Sequence, residues 1–297
     1  MKTLSGKVVL ITGAASGIGA ETARVLATRG ARLMLVDVRG AELAEVVDEF
    51  EPDRVAHVAA DVRDLDAMTR AVAVAADRFG GLDYVVANAG IVSYGSLLAV
   101  DPVVFRQVID VNLTGVFHTV RAALPALIES RGYILVVSSL AAFTNSPGMA
   151  AYHASKAGVE SLTETLRLEV AHHGVGVGCA HPHWTRTPLM DDAFADLPVF
   201  REYLGTLPRP LAHSTPVRAC ADAFADTLAR RGRWVNVPRW IGLFRWLHPL
   251  LGTTLVQRDA LAHVPRMLPR LDAEVATLGR STNARTAGAE RPDSTQE

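Results

Sequence analysis

The chain has 297 residues, 49% of them hydrophobic, with 30 Lys and Arg against 31 Asp and Glu for a formal net charge of −1. That length fits one or two packed domains, and the near-zero charge excludes a global field for nucleic acid or an anionic membrane. Cys179 and Cys220 are too few for a disulfide framework, and Cys179 lies in an apolar run, so a reducing, cytoplasmic setting is expected. The first strand is expected to begin near residue 7, so no signal peptide is expected before it. No stretch of about twenty uninterrupted apolar residues predicts a spanning helix.

Apolar, β-branched runs alternate with helical patterns, which predicts an α/β fold built on one doubly wound parallel sheet of about seven strands with helices on both faces. Strands are expected near 7–12, 32–37, 54–59, 83–87, 132–138, 175–180 and 233–237, and helices near 17–29, 40–50, 64–79, 102–129, 150–173 and 216–231. The first strand, Lys7 to Thr12, runs into Gly13-Ala14-Ala15-Ser16-Gly17-Ile18-Gly19 and then a helix. Glycines there let the backbone turn tightly beside a pyrophosphate, whose charge the helix N-terminus stabilises. The second strand ends in Asp37, eighteen residues after Gly19, where a carboxylate can accept from adenosine ribose hydroxyls. The bland alternative is an ordinary strand-to-helix turn, but strand, helix and acid together favour a dinucleotide site.

The third strand delivers Asp61 and Val62, and Asp61 with Asp64 also reads as a helix N-cap region. The fifth strand ends at Ser138 and Ser139, and thirteen residues beyond Ser139 come Tyr152 and Lys156. A Tyr and a Lys four apart share one helix face. A phenol with a pKa of about 10 needs roughly 4 kcal/mol of differential stabilisation to fall by three units, part of which a neighbouring ammonium can supply. The pair reads as an acid/base device for a hydroxyl or carbonyl, given a cofactor that takes the hydride.

These segments resemble the short-chain dehydrogenase/reductase family over about residues 5 to 237. Thr12 to Gly19 matches its TGxxxGxG turn, Asn88-Ala89-Gly90 its NAG segment, Ser139 its catalytic serine, and Tyr152 with Lys156 its YxxxK. Asn112, twenty-seven residues before Ser139, matches the asparagine completing the tetrad. The resemblance implies a Rossmann-type domain over 1–237 with a substrate lid over about 188–212. It implies that Tyr152 exchanges the proton, that Ser139 holds the substrate oxygen, and that Lys156 depresses the tyrosine and holds the nicotinamide ribose. It places Asn112 mid-helix, its side-chain amide holding a water in a relay to Lys156. Cofactor contacts are implied for Gly13, Ser16, Gly17, Ile18, Gly19, Asp37, Asp61, Val62, Asn88, Ala89, Gly90, Tyr152, Lys156, Pro182, Thr185 and Thr187.

NAD is favoured over NADP, because a 2′-phosphate beside Asp37 would face an anion at a cost of up to about 4 kcal/mol at 4 Å and an effective dielectric of 20. The family's usual basic positions are uncharged here, at Ser16 and Val38, and Arg39 is the one dissenting feature, read as a solvated loop cation. The family's Pro-Gly-x-x-x-Thr appears as Pro182-His183-Trp184-Thr185-Arg186-Thr187. His183 therefore replaces a glycine and, with Trp184, is expected to border the nicotinamide or substrate. His181 and His183 lack a ligand constellation, so no metal is expected.

Phe194, Leu197, Phe200, Tyr203 and Leu204 suggest an apolar lid over a bulky, steroid-like or lipid-like alcohol or ketone. Trp240, Leu243, Phe244, Leu247 and Leu251 recur at helical spacing in an extension over 238–280, expected to cover a subunit or the pocket in preference to a membrane surface. Pro265 and Pro269 are expected to break the helical pattern beyond it, with a second helix near 270–279 and a disordered tail over 281–297. The family resemblance implies a homodimer or homotetramer. An NADP-linked carbonyl reductase and a non-catalytic cofactor-binding scaffold are the competing functions, the latter disfavoured by the complete tetrad.

Overall fold

Strand β1 (Val8–Thr12) is buried along its whole length, and its alternate side chains feed two different apolar layers. The computed structural model that shows this describes residues 4–288 except 208, 210 and 252. β1 pairs in parallel with β2 (Arg32–Asp37) and β4 (Tyr84–Ala87), in register at Val9↔Leu33 and Leu10↔Val85. With β3 (Val55–Ala59), β5 (Tyr133–Val137), β6 (Gly176–Pro182) and β7 (Trp234–Val237) the sheet runs β3-β2-β1-β4-β5-β6-β7. The order reverses between β1 and β4, which opens a crevice beyond their carboxyl ends, the usual ligand position in such sheets.

Val9 and Ile11 pack toward α1 (Gly17–Thr28), α2 (Gly40–Val47) and, further along the sheet, α9 (Val217–Arg230), through Leu26, Leu43 and Phe224. Val8 and Leu10 belong to the opposite layer, with Met68 of α3 (Leu65–Phe79), Val120 of α5 (Gly115–Ser130) and Val159 of α6 (Ala150–Glu169). Each fully buried side chain of this size contributes roughly 1.5–3 kcal/mol, so the sheet is held from both faces. The alternation expected from sequence is therefore present, with element ends shifted by a few residues.

α4 (Pro102–Ile109), a π-helical turn (Asp110–Thr114) and α5 form one continuous rod. By length and composition alone this rod of 29 residues would pass for a membrane-crossing helix. Val116, Val120, Ala123 and Leu127 are instead buried against the sheet.

A third apolar cluster lies over the carboxyl ends of the strands. It joins Val92, Tyr94 and Met149 to α7 (Pro188–Asp196) and α8 (Pro198–Thr206), the segment expected to form a lid, and to Met267, Leu271 and Val275. Those last three belong to a helix that comes after α10 (Gly242–Leu251), namely α11 (Thr254–Leu278), which continues through Pro265 and Pro269. The expected break there does not occur. A proline removes its own amide bond and crowds one carbonyl, and Met267 and Leu271, both buried, hold the helix against α8 and the loop before α6.

The expected disordered tail also needs correction. Ser281, Thr282 and Asn283 are buried, and Ala284–Gly288 form a short helix, α12. The remainder of that expectation, over 289–297, lies outside the described residues.

Candidate active site

Two cavities meet at Tyr152, and both open beyond the carboxyl ends of the strands. The larger runs from Asp37, Val38, Asp61 and Val62 past Gly13, Ser16 and Gly17 to Tyr152, Lys156, Pro182 and Thr187. Its floor is the turn after β1. Gly13 has φ +67 and a Cβ there would stand 2.8 Å from the Ala89 Cα, while Gly17 has φ +55 and faces the Thr187 methyl. Side chains at these two positions would fill the cradle, which leaves room for a diphosphate against backbone amides. Gly19 does not line the cleft; it lets α1 pack closely on the Gly13 carbonyl and the Asn88 amide.

Thr12 Oγ1 accepts from the Asn88 and Ala89 amides, and Asn88 Nδ2 donates to the Thr12 and Gly13 carbonyls. The ends of β1 and β4 are thereby locked across the crevice, with Ala89 and Gly90 on its wall. At the far end Asp37 is buried and accepts from Ala15 N at 2.9 Å. Arg39 is not a solvated loop cation. Its guanidinium folds back onto Asp37 Oδ1 at 3.3 Å and Ser16 Oγ at 2.9 Å, on the same cleft wall. Asp61 lines the cleft and binds Arg63, and Asp64 caps α3 by accepting from Ala67 N, as the N-cap reading of that segment expects.

Ser139 and Ser138 separate cleanly. Ser138 Oγ donates to the Lys156 carbonyl and is buried, whereas Ser139 lines the smaller cavity beside Tyr152, its Oγ accepting from Ala141 N. Burial pushes Tyr152 up, and the nearby Ser139 hydroxyl only partly offsets it. Burial also pulls Lys156 down to about 8. Lys156 Nζ donates to the Val137 carbonyl at 2.9 Å and lies 5.7 Å from the Tyr152 ring centroid. At about 6 Å and an effective dielectric of 20 the ammonium favours a phenolate by roughly 3 kcal/mol, which desolvation can outweigh.

Asn112 sits in the π turn and is fully buried. Its Oδ1 accepts from Ile91 N, and its Nδ2 donates to the Ile91 carbonyl and to Ser155 Oγ. The expected water-holding amide is thus committed elsewhere, as a brace between the strand β4 loop and α6. Gly90 is pinched between Asn112 Oδ1 and Lys156 Nζ, each within 3.6 Å of where its Cβ would be.

The smaller cavity, of about 110 Å³, is walled by Val92, Leu140, Met149, Trp184, Leu189 and Met190. Thr185 lines this cavity instead of the larger cleft, and its hydroxyl is spent on the His183 carbonyl at 2.8 Å. His183 also lines it. The imidazole is buried, burial lowers its pKa to about 4 with the His213 backbone offsetting slightly, and neither ring nitrogen has a hydrogen-bond partner. His153, which the sequence did not single out, fixes the cavity floor by bridging the Ala141 carbonyl and the Ser146 amide. Gln107, equally unforeseen, lines the larger cleft with a buried, unpartnered Oε1.

Glu160, Cys179 and His181 place ligand-type atoms within 4.8 Å of one another. His181 Nε2 bonds Glu160 at 2.5 Å, and the Arg245 guanidinium of α10 already sits on the same carboxylate at 2.6 Å. That arrangement is a buried ion-paired anchor for the extension.

A family model described as short chain dehydrogenase matches residues 7–198. The trans-4-hydroxycyclohexanecarboxylate dehydrogenase of Sinomonas cyclohexanicum is 38% identical over 66% of this chain and 80% of its own. The 11-beta-hydroxysteroid dehydrogenase A of Sesamum indicum is 34% identical over 82% of this chain and 71% of its own. The crystal structure of 3-ketoacyl-(acyl-carrier-protein) reductase from Brucella melitensis complexed with NADH superposes with a TM-score of 0.71, at 30% identity over 79% of this chain and 98% of that one.

Proposed function

The chain belongs to the short-chain dehydrogenase family, and from that premise we propose that it oxidises a compact apolar secondary alcohol, or reduces the matching ketone, with NAD(H). The carrying observation is that Tyr152 alone of the acid/base groups lines both cavities, with Ser139 lining the smaller one and Lys156 the larger. The nicotinamide, when bound, supplies the hydride acceptor or donor. Tyr152 takes the alcohol proton in oxidation and returns one to the carbonyl oxygen in reduction. Ser139 orients that oxygen, and the Lys156 charge offsets the cost of a buried phenolate.

NAD is preferred in this reading because the Asp37 carboxylate stands at the adenosine end of the cleft, where a 2′-phosphate would meet it. Arg39 cancels part of that charge and is the feature by which NADP would gain a foothold.

A compact ring fits the smaller cavity of about 110 Å³ as it stands, whereas the bulky substrate expected from sequence requires walls such as Leu189 and Met190 to move apart. His183, buried without a partner on that wall, favours a second oxygen function on the substrate, since an unpaired buried polar group costs about 1–3 kcal/mol. The Sinomonas relative is named for a cyclohexane ring carrying a hydroxyl and a carboxylate, a substrate of this kind. A homo-oligomer joined through α4, α5 and α6 is consistent with the exposed Val103, Phe117 and Leu168 on those helices. Initial rates with NAD across cyclic alcohols of graded size, with and without a second oxygen group, test the reading. Preference for hydroxysteroids over monocyclic alcohols would displace it.

A further inference from the structure

The segment from Arg280 to Thr286 crosses the mouth of the cofactor cleft. Asn283, Arg285 and Thr286 line that cleft together with Ile91, Gln107 and Leu189. None of the family segments from the glycine turn to Thr187 reaches so far along the chain, so this wall comes from the extension alone. It is tied down on two sides. Toward the loop after β4, Thr282 Oγ1 donates to the Val92 carbonyl, the Ser281 carbonyl accepts from Tyr94 N, and Ser281 Oγ accepts from Asp101 N. Toward the lid, Arg280 pairs with Asp196 at 2.6 Å and Arg285 with Asp192 at 2.8 Å, both acids lying on α7.

α11 fixes the start of this strap. Asp272 accepts from the Ser96 amide at 2.8 Å and the Ser96 hydroxyl at 2.7 Å, and Leu271 fills the space beside Gly148. The strap is held by α7, whose Leu189 lines both this cleft and the smaller cavity, so it belongs to the end of the cleft that meets that cavity, the nicotinamide end in the proposed reading. The buried Oε1 of Gln107, without a partner and on the same wall, is an acceptor still to be satisfied there.

We propose that residues 280–286 complete the cofactor site and retain the nicotinamide dinucleotide between turnovers. The proposal rests on the reading of the larger cleft as a dinucleotide site. Exchange of the cofactor then requires the strap and α7 to part, which breaks the two ion pairs. Both pairs are partly exposed, so salt weakens them and should speed exchange.

The test is the rate of NADH release from the full-length protein, followed by the fluorescence lost when excess NAD displaces it, with NADPH run alongside. Arg280 does not line the cleft, so Arg280→Asp loosens the strap without removing a cofactor contact. Release at least fivefold faster in Arg280→Asp, restored to within twofold of the parent by adding Asp196→Arg, is the expected result. Release within twofold of the parent in Arg280→Asp, with thermal unfolding unchanged, would overturn the strap while leaving the cofactor reading intact. Faster release that the charge swap fails to restore would also overturn it. A parent that binds neither dinucleotide would sink the cofactor reading along with the strap.

Discussion

Lys156 points its ammonium at the Val137 carbonyl, 2.9 Å away, while standing 5.7 Å from the Tyr152 ring centroid. The lysine is therefore buried with a single neutral acceptor as its hydrogen-bond partner, and burial brings it down to about 8.

That shift has a stability consequence. Between about 8 and the ordinary 10.5 the unfolded chain binds the lysine proton and the folded one does not, so stability rises with pH across that window. Between pH 7 and 9.5 the gain from this group is about 2 kcal/mol. Urea unfolding of the parent and of Lys156→Met, compared at those two pH values, checks it. The parent should gain on the variant by that amount as pH rises, and a constant difference would contradict the burial argument.

Cofactor choice turns on Asp37 and Arg39. Replacing Asp37 by Asn removes the anion facing a 2′-phosphate and leaves Arg39 free to meet it. The ratio of kcat/KM for NADP to that for NAD should rise at least tenfold, equivalent to about 1.4 kcal/mol. Arg39→Ala should move the ratio the other way. Steady-state kinetics with both dinucleotides measures this, and an unchanged ratio in Asp37→Asn would remove the carboxylate from the specificity argument.

His183 should act on KM in preference to kcat. His183→Ala is expected to raise KM about tenfold for cyclic alcohols carrying a second oxygen group, the loss of one hydrogen bond worth about 1–1.5 kcal/mol, and to leave plain cycloalkanols within twofold. Equal effects on both substrate sets would make the imidazole a packing residue only.

Arg245 anchors the extension through Glu160. Burial alone would raise that carboxyl, but His181, Cys179 and Arg245 outweigh it and hold it at about 2. A depressed carboxyl contributes its stability above the ordinary 4.5 and loses it as pH falls toward 2. Arg245→Met leaves a half-paired buried carboxylate and should cost about 2–4 kcal/mol at neutral pH. The acid-unfolding midpoint, read by tryptophan fluorescence, should move upward in the variant; an unmoved midpoint would contradict the anchor.

The sheet and the cofactor turn were legible because their signals are local. Apolar runs such as Tyr133 to Val137 fill strands buried on both faces, and Gly13 and Gly17 occupy positive φ in the turn. Ser139 was separable from Ser138 by spacing, and the structure shows the physical difference, since Ser138 is spent on the Lys156 carbonyl. The features that sequence missed are tertiary. Ser281 and Thr282 carry no apolar period, yet they are buried because backbone groups of Val92, Tyr94 and Asp101 satisfy them. Pro265 and Pro269 looked like breaks because the packing that overrides them, at Met267 and Leu271, comes from distant parts of the chain. His183 gave a signal, as a side chain where the family has a glycine, but its lack of partners was visible only in three dimensions.

The most direct test of the central claim is the initial rate of NADH formation from NAD with monocyclic secondary alcohols, for the parent and for Tyr152→Phe, with NADH affinity measured in both. The account predicts turnover in the parent, a loss of about 10²–10⁴-fold in kcat in the variant, and NADH binding in the variant within a few-fold of the parent. A variant that turns over at the parental rate, or a parent that binds NADH and oxidises none of these alcohols, would contradict it.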